Sequence, residues 1–188
     1  MKLYYVRHGH SEHNEAFDKT QDIMTYRSFS FKHSRLTEKG VQQIRDIVLP
    51  CKMDRVYSSP LIRCIETSKL LVDKKSFLYL HDGLMETQGP FPCNWRQDYE
   101  YFHKSLDRYI LKDVNVTYEP FGKYYIPNIS ETDSELKERS TKTVEQIVDE
   151  CKSLENILVV THNDWLESMF GRPFKNGEVY VVEYLKDE

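Results

Sequence analysis

The stretch RHGHSEHN, which begins at Arg7, concentrates side chains that could do chemistry. His8, His10 and His13 are spaced so that their imidazoles could hold a metal ion. The same stretch contains Arg7-His8-Gly9, in which a guanidinium and an imidazole are neighbours, a pair suited to binding and attacking a phosphoryl group. Residues further along the chain are needed to distinguish a metal centre from a phosphate site.

Two other segments place polar residues at the ends of predicted strands. Ser58-Ser59 and then Arg63 follow DRVY, and His162 follows the apolar run NILVVT. Ligands in open α/β sheets bind beyond the carboxyl ends of the strands. Residues that are remote in sequence are therefore expected to meet His8 in one pocket.

Two arginines and two histidines that meet at one point are suited to phosphoryl transfer. A transferring phosphoryl group spreads negative charge over its equatorial oxygens, and fixed positive donors stabilise that charge. Arg7 and Arg63 can each give two parallel hydrogen bonds to phosphate, a geometry that lysine does not offer. We expect His8 to be the nucleophile, kept neutral by the two cations, and His162 to donate to the phosphoryl oxygens.

Five further residues are expected to complete this pocket. Gly9 would let the backbone approach the ligand, and Asn14 and Ser59 would add neutral donors, although Asn14 could instead cap a local turn. A helix beginning at Pro60 would direct its first N–H groups at the anion. The leaving alcohol needs a proton, and Glu86, which follows the third predicted strand, is the candidate acid.

Strands and helices alternate along the chain and predict an α/β fold, a three-layer α/β/α sandwich around a mostly parallel mixed sheet. We predict strands at residues 2–6, 54–58, 76–80, 156–161 and 178–185, and helices at 38–48, 60–71, 132–152 and 164–170. Between 15 and 35 we expect a short helix and an ordered loop. Residues 1–188 are interpreted as one domain with an insertion at about 87–130 over the active site, which includes one amphipathic helix from about Trp95 to Tyr109.

Composition argues against several classes of function. The formal net charge of −4 does not favour a nucleic-acid-binding face, and no apolar run approaches the roughly eighteen residues that a membrane helix needs. The four cysteines are widely spaced, which favours reduced thiols in a cytoplasmic protein over disulfides or a zinc site. We therefore expect neither a nucleic-acid nor a membrane partner.

Five segments in order, LYYVRHGHSEHN, LTEKGVQQ, VYSSPLIRCIETSKLL, LMETQG and VVTH, resemble the histidine phosphatase superfamily, specifically its phosphoglycerate mutase-like branch. The resemblance implies a phosphatase that needs no cofactor or metal and acts through a phosphohistidine on His8. It also implies that Glu86 donates and accepts the proton, and that the phosphate is bound by Arg7, Asn14, Arg63 and His162. The substrate would be a phosphorylated small molecule or a phosphoprotein.

The sequence departs from this family near its second histidine and in its first motif. Asn163 stands where the family usually has glycine, and a left-handed backbone at Asn163 would strain the position of His162. Asp164 is a rival to Glu86, because the acid-phosphatase branch draws its proton donor from beside that histidine. His10 replaces a residue that is often Gln or Glu and could contact substrate.

Three alternatives to hydrolysis stay open. Phosphoglycerate mutases share the first step, but the insertion here lacks their RHYG-like and paired-arginine elements. A catalytically weak module that binds phosphorylated ligands is an alternative from another class. The H-x-H-x-E-H run is also close to the H-x-H-x-D-H run of metallo-β-lactamase-like hydrolases, but the contexts of His33, His81 and His103 do not complete a dinuclear site.

Overall fold

The computed structural model describes residues 1–72, 77–96, 115–119 and 130–184. Strands in these ranges are β1 (Lys2–Arg7), β2 (Arg55–Ser58), β3 (Phe77–His81), β4 (Asn115–Glu119), β5 (Asn156–Thr161) and β6 (Val179–Glu183). Helices in the same ranges are α1 (Glu12–Thr20), α2 (Glu38–Arg45), α3 (Ile62–Leu71), α4 (Asp133–Glu150) and α5 (Asn163–Phe170).

The strands form one six-stranded sheet in the order β4-β3-β2-β5-β1-β6. All neighbouring pairs are parallel except β1 and β6, which are antiparallel. Strand β5, the most apolar run of the sequence, lies inside the sheet between β2 and β1, as expected for a strand that is buried on both faces. Its parallel neighbours end at the same edge, where Arg7 is paired with Thr161 and Ser58 with Val160.

Helices cover both faces of this sheet. Alternate residues of each strand point to opposite faces, so Tyr4 and Val6 pack in one core with α3, while Leu3 and Tyr5 pack in a second core with α4 and α5. The prediction of a three-layer α/β/α sandwich around a mostly parallel mixed sheet is therefore confirmed.

The start of one helix and the end of another differ from the prediction. Helix α3 begins at Ile62, not at Pro60, because Leu61 is still extended and its N–H is accepted by Ser59 Oγ at 3.3 Å. Helix α2 ends at Arg45, so Val48 is not on its apolar face and is 89% exposed.

Helix α1 begins at Glu12, three residues before the segment in which a helix was expected. Its start is fixed by Ser11, whose N–H and Oγ both donate to Asn14 Oδ1 at 3.2 and 2.7 Å. A side chain that accepts from the residue before the helix satisfies donors that the first turn leaves open. The RHGHSEHN stretch is therefore part loop and part helix.

Strand β4 was not predicted, since it lies within the segment interpreted as an insertion and its sequence, NVTYE, is short and half polar. The amphipathic helix expected from about Trp95 to Tyr109 falls almost wholly outside the described residues. The single domain and its insertion at about 87–130 stay predictions. In the part of the chain that the structure describes, none of the helices combines the length and apolarity needed to cross a membrane.

Candidate active site

The His8 ring lies in the loop after β1 and is 2% exposed. Arg63 Nε–H donates to His8 Nε2 at 3.2 Å, so Nε2 carries the lone pair and Nδ1 carries the proton. That Nδ1–H donates to the Gly9 carbonyl oxygen at 2.7 Å. The loop thus fixes the tautomer in which Nε2 has the free lone pair.

Two guanidinium groups are held near this imidazole by backbone carbonyls. Arg63, on the first turn of α3, donates to the Cys93 carbonyl at 2.6 Å and to Asn94 Oδ1 at 3.2 Å. Arg7, the last residue of β1, donates through Nη1 to the Phe174 carbonyl. Arg7 Nε is buried and has no hydrogen-bond partner in the structure, which leaves a donor that an anionic oxygen would satisfy.

The second histidine approaches the first from the end of β5. The ring centroids of His8 and His162 are 5.2 Å apart, although the residues are far apart in sequence. Ser59 Oγ lies 2.7 Å from His162 Nε2, and Cys64 Sγ lies 3.4 Å from the same nitrogen. The parallel register of β1, β2 and β5 therefore brings together the groups that the sequence predicted would meet.

Both imidazoles are neutral in this environment. Burial lowers the pKa of His8 well below its usual value, and the nearby cations Arg63 and Arg7 lower it further. The pKa of His162 is lowered in the same direction, first by burial and then by Arg63. The sequence argument named the arginines as the cause, whereas burial is the larger effect. Either way, the His8 lone pair is available at neutral pH.

Glu86 lies at the N-terminus of α5, within electrostatic reach of Arg63 and Arg7. Its Oε1 accepts the N–H of Trp165 at 3.3 Å, and its Oε2 accepts the N–H of Asp164 at 3.4 Å. Oε1 also accepts the N–H of Thr87 at 3.0 Å. The carboxyl group is thus held by backbone donors that the first turn of a helix leaves open.

Burial raises the pKa of Glu86 to about 7, and the charge of Asp164 raises it as well. Arg63 and Arg7 act in the opposite direction and are weaker. A carboxyl group with this pKa can carry a proton to a leaving group and take one back near neutral pH.

The raised pKa also makes a prediction about stability. Glu86 binds its proton more tightly in the folded protein than in the unfolded chain, where its pKa has the ordinary value of 4.5. The protonated carboxyl group therefore adds to the free energy of unfolding. This added stability is fully present below about pH 4.5 and is lost as the pH rises through about 7. We expect Glu86→Gln to gain about 2 to 3 kcal/mol in unfolding free energy relative to wild type between pH 5 and pH 8. Urea unfolding of both proteins at each pH measures this change, and a constant difference would contradict it.

One buried arginine of α4, Arg139, holds the segment that carries Glu86 by hydrogen bonds to its backbone carbonyls. Arg139 donates to the carbonyls of Gly83 and Met85, each at 2.9 Å, and to that of Glu86 at 3.4 Å. Its guanidinium also pairs with both carboxylate oxygens of Glu131 at 2.7 Å. A planar guanidinium with several acceptors holds this turn in one conformation.

The same carboxylate joins the two chain segments on either side of residues 89–130. Glu131 N–H donates to the Gln88 carbonyl at 2.8 Å, and Gln88 N–H donates to Glu131 Oε2 at 3.1 Å. Gln88 Nε2 in turn donates to the Glu86 carbonyl at 2.7 Å. We call Gln88, Glu131 and Arg139 the basal clasp.

Asn14 and Gly9 have structural tasks besides the expected ones. Asn14 Oδ1 is used in the capping interaction with Ser11, whereas its Nδ2 points to Tyr26 Oη at 3.4 Å and is the group that could face a ligand. At Gly9, a Cβ atom would lie 2.8 Å from the Gly40 carbonyl oxygen and from Ile44. The glycine is therefore required by the packing of helix α2, and its expected role in ligand approach stays a prediction.

Asn163 does not need the left-handed backbone considered from the sequence, since Gln21 has the only positive φ among the described non-glycine residues. Asn163 is the first residue of α5. Its Oδ1 accepts the N–H of Phe174 at 2.9 Å, and the carbonyl of Phe174 accepts from Arg7. The asparagine thus supports the position of Arg7 through one intervening residue.

Asp164 is more exposed than Glu86. Its Oδ2 accepts from Thr87 Oγ1 at 3.4 Å, and its Oδ1 accepts from Asn163 Nδ2 at 3.1 Å. These contacts tie the side chain to the rim of the site. Asp164 stays a rival proton donor, but its clearest effect here is on the pKa of Glu86.

The other two histidines of the first motif have side-chain partners outside the cluster of Arg7, His8, Arg63 and His162. His10 Nδ1 lies 2.8 Å from Thr37 Oγ1 and its Nε2 lies 3.1 Å from Asp18, so it joins α1 to the start of α2. A contact between His10 and substrate stays a prediction. His13 Nδ1 lies 2.9 Å from Ser34 Oγ. Among the residues that the structure describes, no group of three metal-ligating side chains converges.

Several supporting residues were missed by sequence reasoning. Asn176 Nδ2 donates to the His8 carbonyl at 3.1 Å and lies 3.3 Å from Asn14 Oδ1, which ties the loop before β6 to the site. Its Asn-Gly dipeptide indicates a turn but does not indicate what the turn touches. Cys93, Asn94 and Arg139 act through carbonyl or amide contacts that have no local sequence signal.

The chain belongs to the histidine phosphatase superfamily. The profile of that superfamily (branch 1) matches residues 3–177, which span all of the groups described above except β6. The family resemblance predicted from the five motifs is therefore confirmed. None of the curated proteins matches the sequence.

Solved structures of phosphatases have the same fold. Ecdysone phosphate phosphatase from Bombix mori, solved with tungstate, is 17% identical with a TM-score of 0.68, over 97% of this chain and 89% of that chain. Alpha-ribazole phosphatase from Shigella flexneri is 19% identical with a TM-score of 0.66, over 99% and 92%. Phosphoserine phosphatase from Entamoeba histolytica, solved with 3-phosphoglyceric acid, is 20% identical with a TM-score of 0.57, over 96% and 89%.

Proposed function

We propose that this protein is a phosphatase that hydrolyses a phosphomonoester through a phosphohistidine on Nε2 of His8. The observation that carries the proposal is the meeting of His8, Arg63 and His162, with the two rings 5.2 Å apart and an arginine N–H on the nucleophilic nitrogen. Family membership and the phosphatase names of the structural neighbours support the same reaction class.

In the first step, His8 Nε2 attacks phosphorus and the ester P–O bond breaks. Arg63 Nε–H turns from Nε2 to a phosphoryl oxygen, and Arg7 binds a second oxygen, so that the developing charge is neutralised. The imidazole becomes cationic as the N–P bond forms, and its Nδ1–H is already held by the Gly9 carbonyl. Glu86 gives its proton to the departing alcohol oxygen.

In the second step, water attacks the phosphohistidine. Glu86, now ionised, takes a proton from that water as its oxygen bonds to phosphorus and the N–P bond breaks. The electron pair returns to His8 Nε2, Glu86 is protonated again, and inorganic phosphate is released. His162 and Ser59, which lie 2.7 Å apart, exchange their mutual contact for contacts with phosphoryl oxygens and donate to them in both steps.

Mutase activity is the second candidate, because it shares the first step and one structural neighbour was solved with 3-phosphoglyceric acid. Hydrolysis is favoured because the insertion lacks the cationic motifs that would hold a second acidic group. The substrate is proposed to be a phosphorylated small molecule or a phosphoprotein, and the cytoplasmic location expected from the sequence stays a prediction.

The proposed chemistry requires no metal ion, which makes a direct prediction. We expect the protein to release phosphate from 4-nitrophenyl phosphate at the same rate before and after dialysis against EDTA, because imidazole and guanidinium groups supply the nucleophile and the positive charge. Phosphate release is measured at neutral pH, with an EDTA-sensitive phosphatase as control. A rate that falls with EDTA and returns with a divalent cation would favour a metal centre, and binding of phosphate with no turnover would favour a binding module.

A further inference from the structure

Four aromatic side chains form two edge-to-face pairs beside the site. Phe29 and Trp95 have ring centroids 5.5 Å apart, and those of Tyr26 and Phe91 are 6.0 Å apart, both in edge-to-face contact. Tyr26 and Phe29 come from the two 3₁₀ turns after α1, whereas Phe91 and Trp95 flank a third 3₁₀ turn at Pro92–Asn94. We call these four residues the aromatic shelf.

The shelf begins at the groups that are proposed to bind phosphate. On one side, the Tyr26 ring is 4.9 Å from the His13 ring, and the His13 ring is 6.0 Å from that of His8. On the other side, the turn between Phe91 and Trp95 supplies the Cys93 carbonyl that accepts from Arg63 at 2.6 Å. A ligand with phosphate beside His8 therefore has an aromatic surface within reach of its remaining atoms.

The shelf is open to a ligand at Phe29. That side chain is 71% exposed and Met24, in the preceding 3₁₀ turn, is 47% exposed, whereas Tyr26, Phe91 and Trp95 are half-buried. The indole N–H of Trp95 already donates to the Gly89 carbonyl at 2.7 Å, so its hydrogen-bonding capacity is satisfied without a ligand. Arg96, the next residue, is ion-paired with Asp82 at 3.1 Å. Large exposed apolar side chains grouped at a polar site mark a binding surface.

We propose that the aromatic shelf binds the alcohol part of the substrate, and that this alcohol carries an apolar ring system, either aromatic or polycyclic. The inference rests on the proposed phosphatase function and adds the class of substrate. Rings of this kind pack edge-to-face or offset-stacked on aromatic side chains and lose apolar surface to water on binding. A small polar alcohol, such as that of a sugar or glycerol phosphate, would leave the shelf uncovered.

The test compares three phosphate esters of primary alcohols, so that the demand for a proton on the leaving oxygen is similar. We expect kcat/KM for 2-naphthylmethyl phosphate to exceed that for benzyl phosphate about tenfold, which is about 1.4 kcal/mol, and glycerol 1-phosphate to be the poorest. Phe29→Ala is expected to reduce the naphthylmethyl-to-benzyl ratio to about threefold or less. Because Phe29 is exposed, this variant should keep its fold.

Phe77→Ala is the matched control, since Phe77 is also exposed but begins β3, at the opposite edge of the sheet from the site. Its ratio should equal that of wild type. The inference is wrong if neither Phe29→Ala nor Trp95→Ala changes the naphthylmethyl-to-benzyl ratio, or if the wild type prefers glycerol 1-phosphate. The phosphatase proposal would stand in either case. Absence of turnover with all three esters would instead overturn the phosphatase proposal itself.

Discussion

Replacing His8 by alanine is expected to lower phosphate release from 4-nitrophenyl phosphate by about a thousand-fold or more. The substitution removes the atom that forms the N–P bond, and the remaining donors cannot supply a nucleophile of comparable reactivity. The variant should still bind inorganic phosphate, because Arg7, Arg63 and His162 remain. Steady-state rates and phosphate binding by calorimetry measure the two effects separately.

His10→Gln is the matched control, since this neighbouring histidine is also buried but its ring contacts Thr37 and Asp18 instead of the phosphate-binding groups. Glutamine can replace part of those hydrogen bonds, so we expect a rate within about tenfold of wild type. If His8→Ala retained a rate within about tenfold of wild type, the assignment of the nucleophile would be wrong. Thermal melts of both variants exclude loss of the fold as the cause.

Replacing Glu86 by glutamine is expected to lower kcat/KM for an alkyl phosphate by about a hundred-fold or more, because the leaving oxygen then departs without a proton. The wild-type profile should fall as the pH rises above about 7, since the carboxyl group whose pKa is about 7 must be protonated to act as an acid. The variant should lack this alkaline limb. Rates with benzyl phosphate between about pH 5 and pH 9 test both statements.

Asp164→Asn distinguishes the two candidate acids. Its negative charge raises the pKa of Glu86, so its removal should move the alkaline limb to lower pH and leave the maximal rate within about tenfold of wild type. If this variant instead lost the alkaline limb and as much activity as expected for Glu86→Gln, Asp164 would be the proton donor.

The sequence predicted the parts of the site that depend on strands. His8, Ser59 and His162 each follow a predicted strand, and parallel strands end at one edge of a sheet, so their meeting follows from topology. The helix boundaries were less predictable. Helix α3 begins after Pro60 because a side-chain oxygen, Ser59 Oγ, accepts the N–H of Leu61, an interaction that depends on where the strand has placed Ser59.

Contacts through the backbone could not be predicted at all. Arg63 is held by the carbonyl of Cys93, and Arg7 by that of Phe174, and any residue type can supply a carbonyl. The pKa of Glu86 likewise depends on burial and on its distance from Asp164, which motifs do not encode. The sequence therefore indicated which side chains lie together, whereas their orientation and protonation required three-dimensional information.

The basal clasp has a consequence for how this protein could acquire new specificity. Gln88 and Glu131 are hydrogen-bonded to each other, so the two ends of the segment between them are held together, and Arg139 binds the carbonyl of Glu86 next to this junction. The segment itself is not interchangeable as a whole, because it contains β4 and the turn whose carbonyl and amide groups hold Arg63. An insertion placed after that turn and outside β4 would lengthen the segment while Glu86 and Arg63 keep their partners, and such a position is where a lineage could vary the chain.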